Sequence, residues 1–202
     1  MTPALARKLP EPATLADVDA IEAASGVRHE FHQGQLVAMS GGTVRHATIA
    51  LNTATALRLA LKGQPCRPLL NDLRVHVKKA NAQFYPDVVV LCGEANIAGD
   101  GRTVVEDATV IIEVLSPSTE STDRSSKMRA YRQLASLAAY VLVAQNSQHV
   151  EVYAPGGDIG WTLLEYGPGE QAQIPGLNIA LAVDDVYLDT DTSGESTAVV
   201  QL

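Results

Sequence analysis

Two apolar runs constrain the fold of this chain more than any other feature: "DVVVLC", which ends at Cys92, and "ATVIIEVL", which ends at Leu115. Runs of roughly 4–8 apolar residues bounded by turn-forming residues are typical of strands. Because neither run alternates with polar residues, both strands are expected to be buried on both faces of a sheet. Helices must then cover both faces. The pattern predicts an α/β fold with α+β character, in which helices flank a mixed central sheet.

The N-terminal half supplies the first of these helices and a hairpin. "TLADVDAIEAA" predicts a short helix in which Thr14 is the cap and Asp17 follows three residues later. "RHEFHQGQLVAMSGG" alternates around Gln33–Gly34, which predicts a hairpin. A long helix is expected between Thr43 as its cap and Gly63 as its stop. "LLNDLRVHVKK" alternates and predicts a strand near the edge of the sheet.

The C-terminal half adds one helix and a meander. The helix is predicted from Asp123 to Ala138, and "AYVLVAQ", "HVEVYA", "WTLLEY" and "LNIALA" predict strands that close the sheet. Residues 1–13 contain Pro10 and Pro12 and little pattern, so we expect a flexible arm. Residues 14–188 are expected to form a single domain, and residues 189–202 an acidic, disordered tail.

Composition narrows the class of protein. No stretch reaches the roughly 18 apolar residues of a membrane span, and the N-terminus lacks a secretory signal, so a cytoplasmic location without membrane contact is expected. Cys66 and Cys92 are far apart and have no CxxC spacing. They predict neither a disulfide framework nor a zinc site, and Cys92 is expected to be a small buried apolar residue. The net charge of −8 argues against a nucleic-acid partner, although part of it lies in the acidic tail.

One carboxylate begins the first apolar run, and another interrupts the second. Asp87 follows Pro86 at the start of one strand, and Glu113 lies within the next. If the strands are neighbours, both carboxylates meet at one end of the sheet. They would then need a cation or a shared proton, because two close unpaired carboxylates are costly to bury. Oxygen ligands suit Mg²⁺ or Mn²⁺, so the residues predict a divalent-metal site.

A lysine begins the inward face of the helix that follows. Steps of three and four residues from Lys127 reach Tyr131, Leu134 and Ala138. Lys127 is therefore expected to point inward, toward the end of the sheet. There it would neutralise carboxylate charge and orient or deprotonate a metal-bound water. The competing interpretation is a lysine whose charged end reaches solvent.

These residues carry a resemblance to a known family. "YPDVVVL", "VIIEVLSPST", Asp123, Lys127, Tyr131 and "AAYVLV" are similar to the Uma-type family of endonucleases in the PD-(D/E)XK superfamily, as is "HEFHQGQLVAMSGGTVRHATI". The resemblance spans residues 15–187. It implies a single nuclease-like domain with a restriction-endonuclease-like fold, in which Asp87 and Glu113 ligate the metal ion. It also implies DNA as the substrate and a homodimer as the working form.

The chain departs from the superfamily pattern at one position. The lysine expected two residues after the glutamate is Leu115. In the family that it resembles, a lysine from the following helix takes this place, and Lys127 is at the matching position. Glu30 and His46 are secondary catalytic candidates. Glu30 is a further ligand, a base that positions water, or an exposed strand carboxylate. His46 is either a core histidine bonded to backbone or a residue near the cleft.

Several alternatives stay open. His29 and His32 lie on strand faces that do not converge, which argues against zinc. Asp72 and Arg74 are either a pair at the rim of the site or an ordinary ion pair. The main hypothesis is a metal-dependent endonuclease acting on nucleic acid. The alternatives are a non-catalytic nuclease-like scaffold that binds a protein or nucleic-acid partner, and a hydrolase of small phosphorylated molecules, although no phosphate-binding glycine motif is present.

Overall fold

The fold has two longer helices in its N-terminal part and is otherwise rich in strands. The structure is a computed structural model that describes residues 7–8, 14–39, 41–70, 73–94, 97–98 and 104–190. The helical segments are α1 (Leu15–Ser25), α2 (Val44–Ala60), α3 (Glu120–Thr122), a π-helical turn (Asp123–Lys127), α4 (Met128–Tyr131) and α5 (Val183–Val186). We call the three consecutive segments over residues 120–131 the site helix.

The described strands follow the order of the chain. They are β1 (Arg7–Lys8), β2 (His29–His32), β3 (Gln35–Ala38), β4 (Cys66–Leu70), β5 (Arg74–Val77), β6 (Ala82–Phe84), β7 (Val88–Cys92), β8 (Ile97–Ala98), β9 (Val104–Val105), β10 (Val110–Leu115), β11 (Ala139–Ala144), β12 (Val150–Pro155), β13 (Trp161–Tyr166), β14 (Gln171–Ile174) and β15 (Ile179–Ala182). The α/β fold with α+β character is confirmed, with its strands divided over three sheets.

The two apolar runs lie side by side in the six-stranded sheet, whose order is β13-β12-β11-β10-β7-β4. Strand β10 pairs antiparallel with β7 and parallel with β11. All six residues of β10 are buried, as expected for a strand that is covered on both faces. Strands β11, β12 and β13 form the predicted meander. The prediction that "LNIALA" closes the same sheet is wrong, because β15 pairs with β14 in a separate two-stranded sheet.

Each face of this sheet packs against a different layer. Helix α2, the β14–β15 hairpin and α5 cover the face that carries Val88, Ile112 and Val141. The other face, which carries Val89 and Ile111, packs against the site helix and strands of the seven-stranded sheet. Glu113 shares this second face with Ile111, because side chains alternate along a strand. The fold thus sets the predicted site between the sheet and the site helix.

The seven-stranded sheet contains the predicted hairpin, in the order β1-β3-β2-β6-β5-β9-β8. Gln33 and Gly34 both have positive φ in its turn, at 49° and 82°. Arg7–Lys8, the described part of the predicted arm, pairs with β3. The prediction that "LLNDLRVHVKK" is one edge strand is wrong, because the segment divides. Strand β4 lies at the edge of the six-stranded sheet beside β7, whereas β5 lies inside the other sheet between β6 and β9.

The predicted N-terminal caps of α1 and α2 are present. The side chains of Thr14 and Asp17 bond reciprocally to the first-turn backbone of α1 in a capping box. The Thr43 side chain accepts from the backbone N–H of His46 at 3.1 Å. Gly63 follows α2 with φ 85°, as expected of a helix stop.

The site helix differs from its prediction of residues 123–138. It begins at Glu120 and ends at Tyr131, with the π-helical turn in its middle. Beyond Tyr131 the chain continues in tight turns, such as Leu134 N–H to the Tyr131 carbonyl at 2.9 Å. These turns keep Leu134 and Leu137 buried. The apolar spacing therefore continued past the end of the helix and made the predicted helix too long.

The prediction for the cysteines is also wrong. Cys66 and Cys92 form a disulfide between directly opposite residues of β4 and β7, with their Cα atoms 4.0 Å apart. A separation of 26 residues does not reveal from sequence that two strands will pair in this register. Every helix in the described part of the chain is too short or too polar to cross a bilayer. Residues 191–202 of the expected tail (189–202) and Asp72 lie outside the described residues.

Candidate active site

Strand pairing brings Asp87 and Glu113 to one end of the six-stranded sheet. Val88 pairs with Ile112, and the same register continues to set Asp87 opposite Glu113. Asp87 lies between Pro86 and the first residue of β7. Its side chain, not its backbone, bonds to the facing strand β10. Oδ2 of Asp87 accepts a hydrogen bond from the backbone N–H of Val114 at 2.7 Å. This bond fixes the carboxylate beside Glu113.

His46 holds the same carboxylate from the other side. Its Nε2 lies 3.3 Å from Asp87 Oδ2 and 3.0 Å from the backbone oxygen of Val114. Hydrogen bonding to Asp87 raises the pKa of His46 above its ordinary value, against the lowering effect of burial. The two sequence interpretations of His46 are therefore compatible, because it bonds to core backbone and lies beside Asp87.

Lys127 lies inside the protein, with 4% of the residue exposed. Its ammonium nitrogen is 2.8 Å from Glu30 Oε1, 3.1 Å from Asp123 Oδ1 and 3.2 Å from Glu113 Oε1. The structure brings Lys127 to the end of the sheet, as its helical spacing predicts, and not to solvent. We call Glu30, Glu113, Asp123 and Lys127 the lysine cluster.

The lysine cluster holds more negative than positive charge. Burial raises the pKa of Glu113 well above its usual value; Lys127 opposes this, while Asp123, Asp87 and Glu30 add to it. Burial alone would lower the pKa of Lys127, but the surrounding carboxylates outweigh burial and raise it well above its usual value. Lys127 is therefore a permanent cation here. The excess of carboxylates is a local demand for a further cation or a proton.

Two buried tyrosines complete the site, and one of them was not found from sequence. Tyr131 lies on the inward stripe and donates its hydroxyl hydrogen to Glu113 Oε1 at 3.1 Å. Tyr140 comes from β11 and donates to the backbone oxygen of Asp123 at 3.1 Å. Only strand pairing brings Tyr140 here, so sequence spacing gave no signal for it. Asp123 was indicated only by its place four residues before Lys127 and by the family resemblance.

The π-helical turn explains why Asp123, Lys127 and Tyr131 all face the sheet. Residues four apart drift steadily around a regular α-helix, which has 3.6 residues per turn. A turn with i→i+5 bonding holds more residues and reverses part of this drift. Asp123 and Tyr131, at the two ends of the series, therefore stay on one face. Such turns are frequent at functional sites.

The donor set fits a divalent ion that is only partly coordinated by protein. No three His, Cys, Asp or Glu residues in the described part of the chain stand where they could together hold a metal ion. Asp87 and Glu113 are two oxygen donors, and their hydrogen bonds use Oδ2 and Oε1 respectively. Two carboxylates, with water and substrate phosphate completing the shell, are a common arrangement for Mg²⁺. The residues therefore fit Mg²⁺ or Mn²⁺.

The remaining candidates lie apart from this cluster. His29 contacts the backbone oxygen of Val27, and the His32 ring packs near Phe84, so the two histidines do not converge. Arg74 pairs with Asp19 and Glu22 of α1.

A further ion pair, on the site helix, was missed by sequence reasoning. Both terminal nitrogens of Arg124 donate to Glu151 at 2.6 Å, and Tyr153 donates to the same carboxylate at 2.7 Å. This contact fastens the π-helical turn to β12.

Comparison with known proteins gives a consistent family and fold. A model of the Uma2 family, described as "Putative restriction endonuclease", matches residues 15–184. Two uncharacterized proteins of Synechocystis sp. are similar: slr1290 is 30% identical over 160 residues (79% of this chain and 83% of the relative), and sll1609 is 31% identical over 147 residues (73% and 82%). A crystal structure described as a putative nuclease belonging to DUF820, from Anabaena variabilis, superimposes with a TM-score of 0.70 at 17% identity, covering 87% of this chain and 98% of that one.

Proposed function

The chain belongs to the Uma2 family, described as "Putative restriction endonuclease", and on this premise we propose that it is a divalent-metal-dependent endonuclease that hydrolyses phosphodiester bonds of DNA. One observation carries the proposal. Asp87 and Glu113 converge at one end of the sheet beside a buried lysine, in a cluster with an excess of negative charge. A protein core gains nothing from such an excess unless a cation or a proton balances it, and this proposal assigns that role to a metal ion.

Asp87 and Glu113 would hold Mg²⁺ or Mn²⁺. When bound, such an ion polarises the scissile phosphate and lowers the pKa of a water molecule. Val114 N–H and His46 fix the Asp87 carboxylate before the ion arrives, and Tyr131 does the same for Glu113. Preorganised ligands of this kind avoid the cost of ordering side chains during binding.

Lys127 acts in this proposal as a fixed cation and not as a base. Its raised pKa keeps it protonated at neutral pH, so it donates hydrogen bonds and stabilises negative charge that develops on the phosphate. Glu30 and Asp123 hold its ammonium group. Leu115 occupies the position at which the superfamily has its lysine, and it is buried in the apolar layer on the same face. This supports the proposal that Lys127, from the helix, replaces that lysine.

The test is a cleavage assay on supercoiled plasmid, linear DNA and RNA with Mg²⁺, Mn²⁺ or EDTA. We expect cleavage of DNA only with metal, and a loss of at least about 100-fold in Asp87→Asn, Glu113→Gln and Lys127→Met. Asp158→Asn, which changes an exposed carboxylate in the short 3₁₀ turn Gly157–Ile159 after β12, is the matched control and should cleave normally. Thermal melts establish that each variant is folded.

Metal binding separates the proposal from a scaffold role. Calorimetric titration of Mn²⁺ should show binding that Asp87→Asn and Glu113→Gln both abolish. A folded protein that binds no metal, with or without DNA, and cuts no nucleic acid would reject the nuclease and favour the non-catalytic scaffold. Cleavage of RNA alone would show that the substrate is RNA and not DNA, and it would not contradict the proposed metal site.

A further inference from the structure

Helix α2 is largely apolar on the face that it turns to solvent as well as on the face that it packs against the sheet. Its inner face includes Ile49 and Leu57, which are fully buried. The outer face carries five exposed residues at helical spacing, four apolar and one threonine, which we call the α2 stripe: Val44, Ala47, Leu51, Thr55 and Leu59.

The three large members of the α2 stripe, Val44, Leu51 and Leu59, are 85%, 56% and 70% exposed. A helix that is apolar on both faces is normally buried, and contiguous exposed apolar surface marks an interaction site. The helix contains no acidic residue, and its exposed face has no charge before Arg58 in its last turn. The stripe is therefore unlike an ordinary solvated helix face.

The order of side chains along the stripe identifies the occupant. Read from either end, the stripe alternates large, small, large, small, large, with Leu51 at its centre. An antiparallel second copy would bring Leu51 against Leu51, Ala47 against Thr55, and Val44 against Leu59. A two-fold axis uses one patch on both subunits, so such an interface must be complementary to itself.

The two small residues of the stripe suit a close contact between helices. Ala47 and Thr55 flank Leu51 on either side, four residues away. They face each other in this register, and two short side chains let the helices approach closely. The hydroxyl of Thr55 does not oppose burial, because a threonine in a helix can bond to the backbone oxygen of the preceding turn. Thr53 of the same helix makes this bond, to the Ile49 oxygen at 2.8 Å.

Charges beside the stripe have the same self-complementary character. Arg58 and Lys62 are exposed at the C-terminal end of α2. Asp185 and Asp189 are exposed on the segment that packs along the helix, where Asn52 donates to the backbone oxygen of Leu188 at 2.7 Å. Leu188 is itself 59% exposed and widens the apolar patch. One surface thus offers both signs of charge to a second copy of itself.

We propose that the α2 stripe is the interface of a homodimer in which the two α2 helices pack antiparallel around Leu51. This inference does not depend on cleavage activity. It has a consequence for the site, because His46 lies in the first turn of α2, beside Asp87. Two antiparallel helices of 17 residues set the two first turns, and with them the two sites, at opposite ends of a contact about 25 Å long.

Sedimentation equilibrium of the full chain tests the interface. The wild-type protein should be a dimer, and Leu51→Lys should raise the dissociation constant about 100-fold, because it buries two ammonium groups at the axis. Leu164→Lys is the matched control, since it changes an exposed leucine on the edge strand β13 and should leave the dimer intact. A monomeric wild-type protein, or equal effects of both variants, would overturn the proposal. Circular dichroism melts show whether each variant is folded.

Disulfide trapping tests the antiparallel register. Both native cysteines are paired, so an introduced cysteine supplies the free thiol. Mild oxidation should cross-link Leu51→Cys with itself, but not Val44→Cys alone; Val44→Cys combined with Leu59→Cys should cross-link. Cross-linking of Val44→Cys alone would indicate parallel helices and refute the register. A monomer whose Leu51→Cys thiol resists alkylation would assign the stripe to another segment of the chain and reject the dimer.

Discussion

Replacing Lys127 with methionine removes the positive charge at the centre of the lysine cluster and keeps most of the side-chain volume. The ammonium group contacts three carboxylates within 3.2 Å, and two of them, Glu113 and Asp123, are almost fully buried. Removing one partner of a buried ion pair costs about 3–5 kcal/mol, because it leaves uncompensated charge in the core. We expect Lys127→Met to lose stability within this range at pH 8.

The loss should depend on pH in a defined direction. The folded-state pKa of Glu113 is already raised by burial, and loss of the lysine raises it further. A group with a raised folded pKa favours the folded state below its unfolded pKa, near 4.3 for glutamate, and this contribution is lost as pH rises through the folded pKa. The deficit of Lys127→Met should therefore be largest at pH 8 and should shrink toward pH 5, because Glu113 with its raised pKa is protonated at the lower pH.

Urea unfolding in EDTA, followed by circular dichroism at both pH values, measures this deficit. Lys127→Met combined with Glu113→Gln should recover much of the stability, because it removes a buried charge as well as its partner. Lys79→Met, an exposed lysine after β5, is the control and should change stability by less than about 0.5 kcal/mol. If Lys127→Met matches this control at both pH values, the lysine does not compensate the carboxylates and our account of the cluster is refuted.

Three further changes test other parts of the structure. Tyr131→Phe, which removes a hydroxyl that donates to the site glutamate, should cost about 1–2 kcal/mol in urea unfolding and weaken Mn²⁺ binding in calorimetry. Burial acts to raise the pKa of Glu151, but hydrogen bonds from Arg124 and Tyr153 outweigh burial and lower it. Glu151 therefore stabilises the fold above its unfolded pKa and loses this contribution as pH falls, so Glu151→Gln should be less destabilising at pH 4 than at pH 7. Cys66→Ala with Cys92→Ala should lose roughly 3.5 kcal/mol, from the 26-residue separation, without changing plasmid cleavage.

Features encoded by nearby residues could be predicted from the sequence. The apolar runs identified β7 and β10, and the caps of α1 and α2 followed from hydrogen-bonding side chains three residues from their backbone partners. Lys127 was predicted to point inward because helical spacing links it to Tyr131, and the structure buries both. In each case the decisive interaction lies within one or two turns of helix or one strand, so the sequence contains it.

Features that depend on strand register could not be predicted in this way. The disulfide requires β4 and β7 to pair with one particular offset, and Tyr140 reaches the site only because β11 lies parallel to β10. The division of "LLNDLRVHVKK" between two sheets has the same origin. Apolar patterning indicates that a strand is buried, but many partners satisfy burial equally well. The choice among them is made by packing over the whole domain.

The lysine cluster shows why a core accepts these charges. Glu113 is held by a lysine, a tyrosine and its neighbouring strand, so its position is fixed whether or not an ion is bound. Lys127 is fixed in turn by Glu30 and Asp123, one from the hairpin and one from its own helix. The carboxylates thus come from three different elements, and the π-helical turn aligns the last of them. A structural ion pair needs one partner for each charge; a cluster with spare carboxylates needs a further cation or a bound proton to balance its charge.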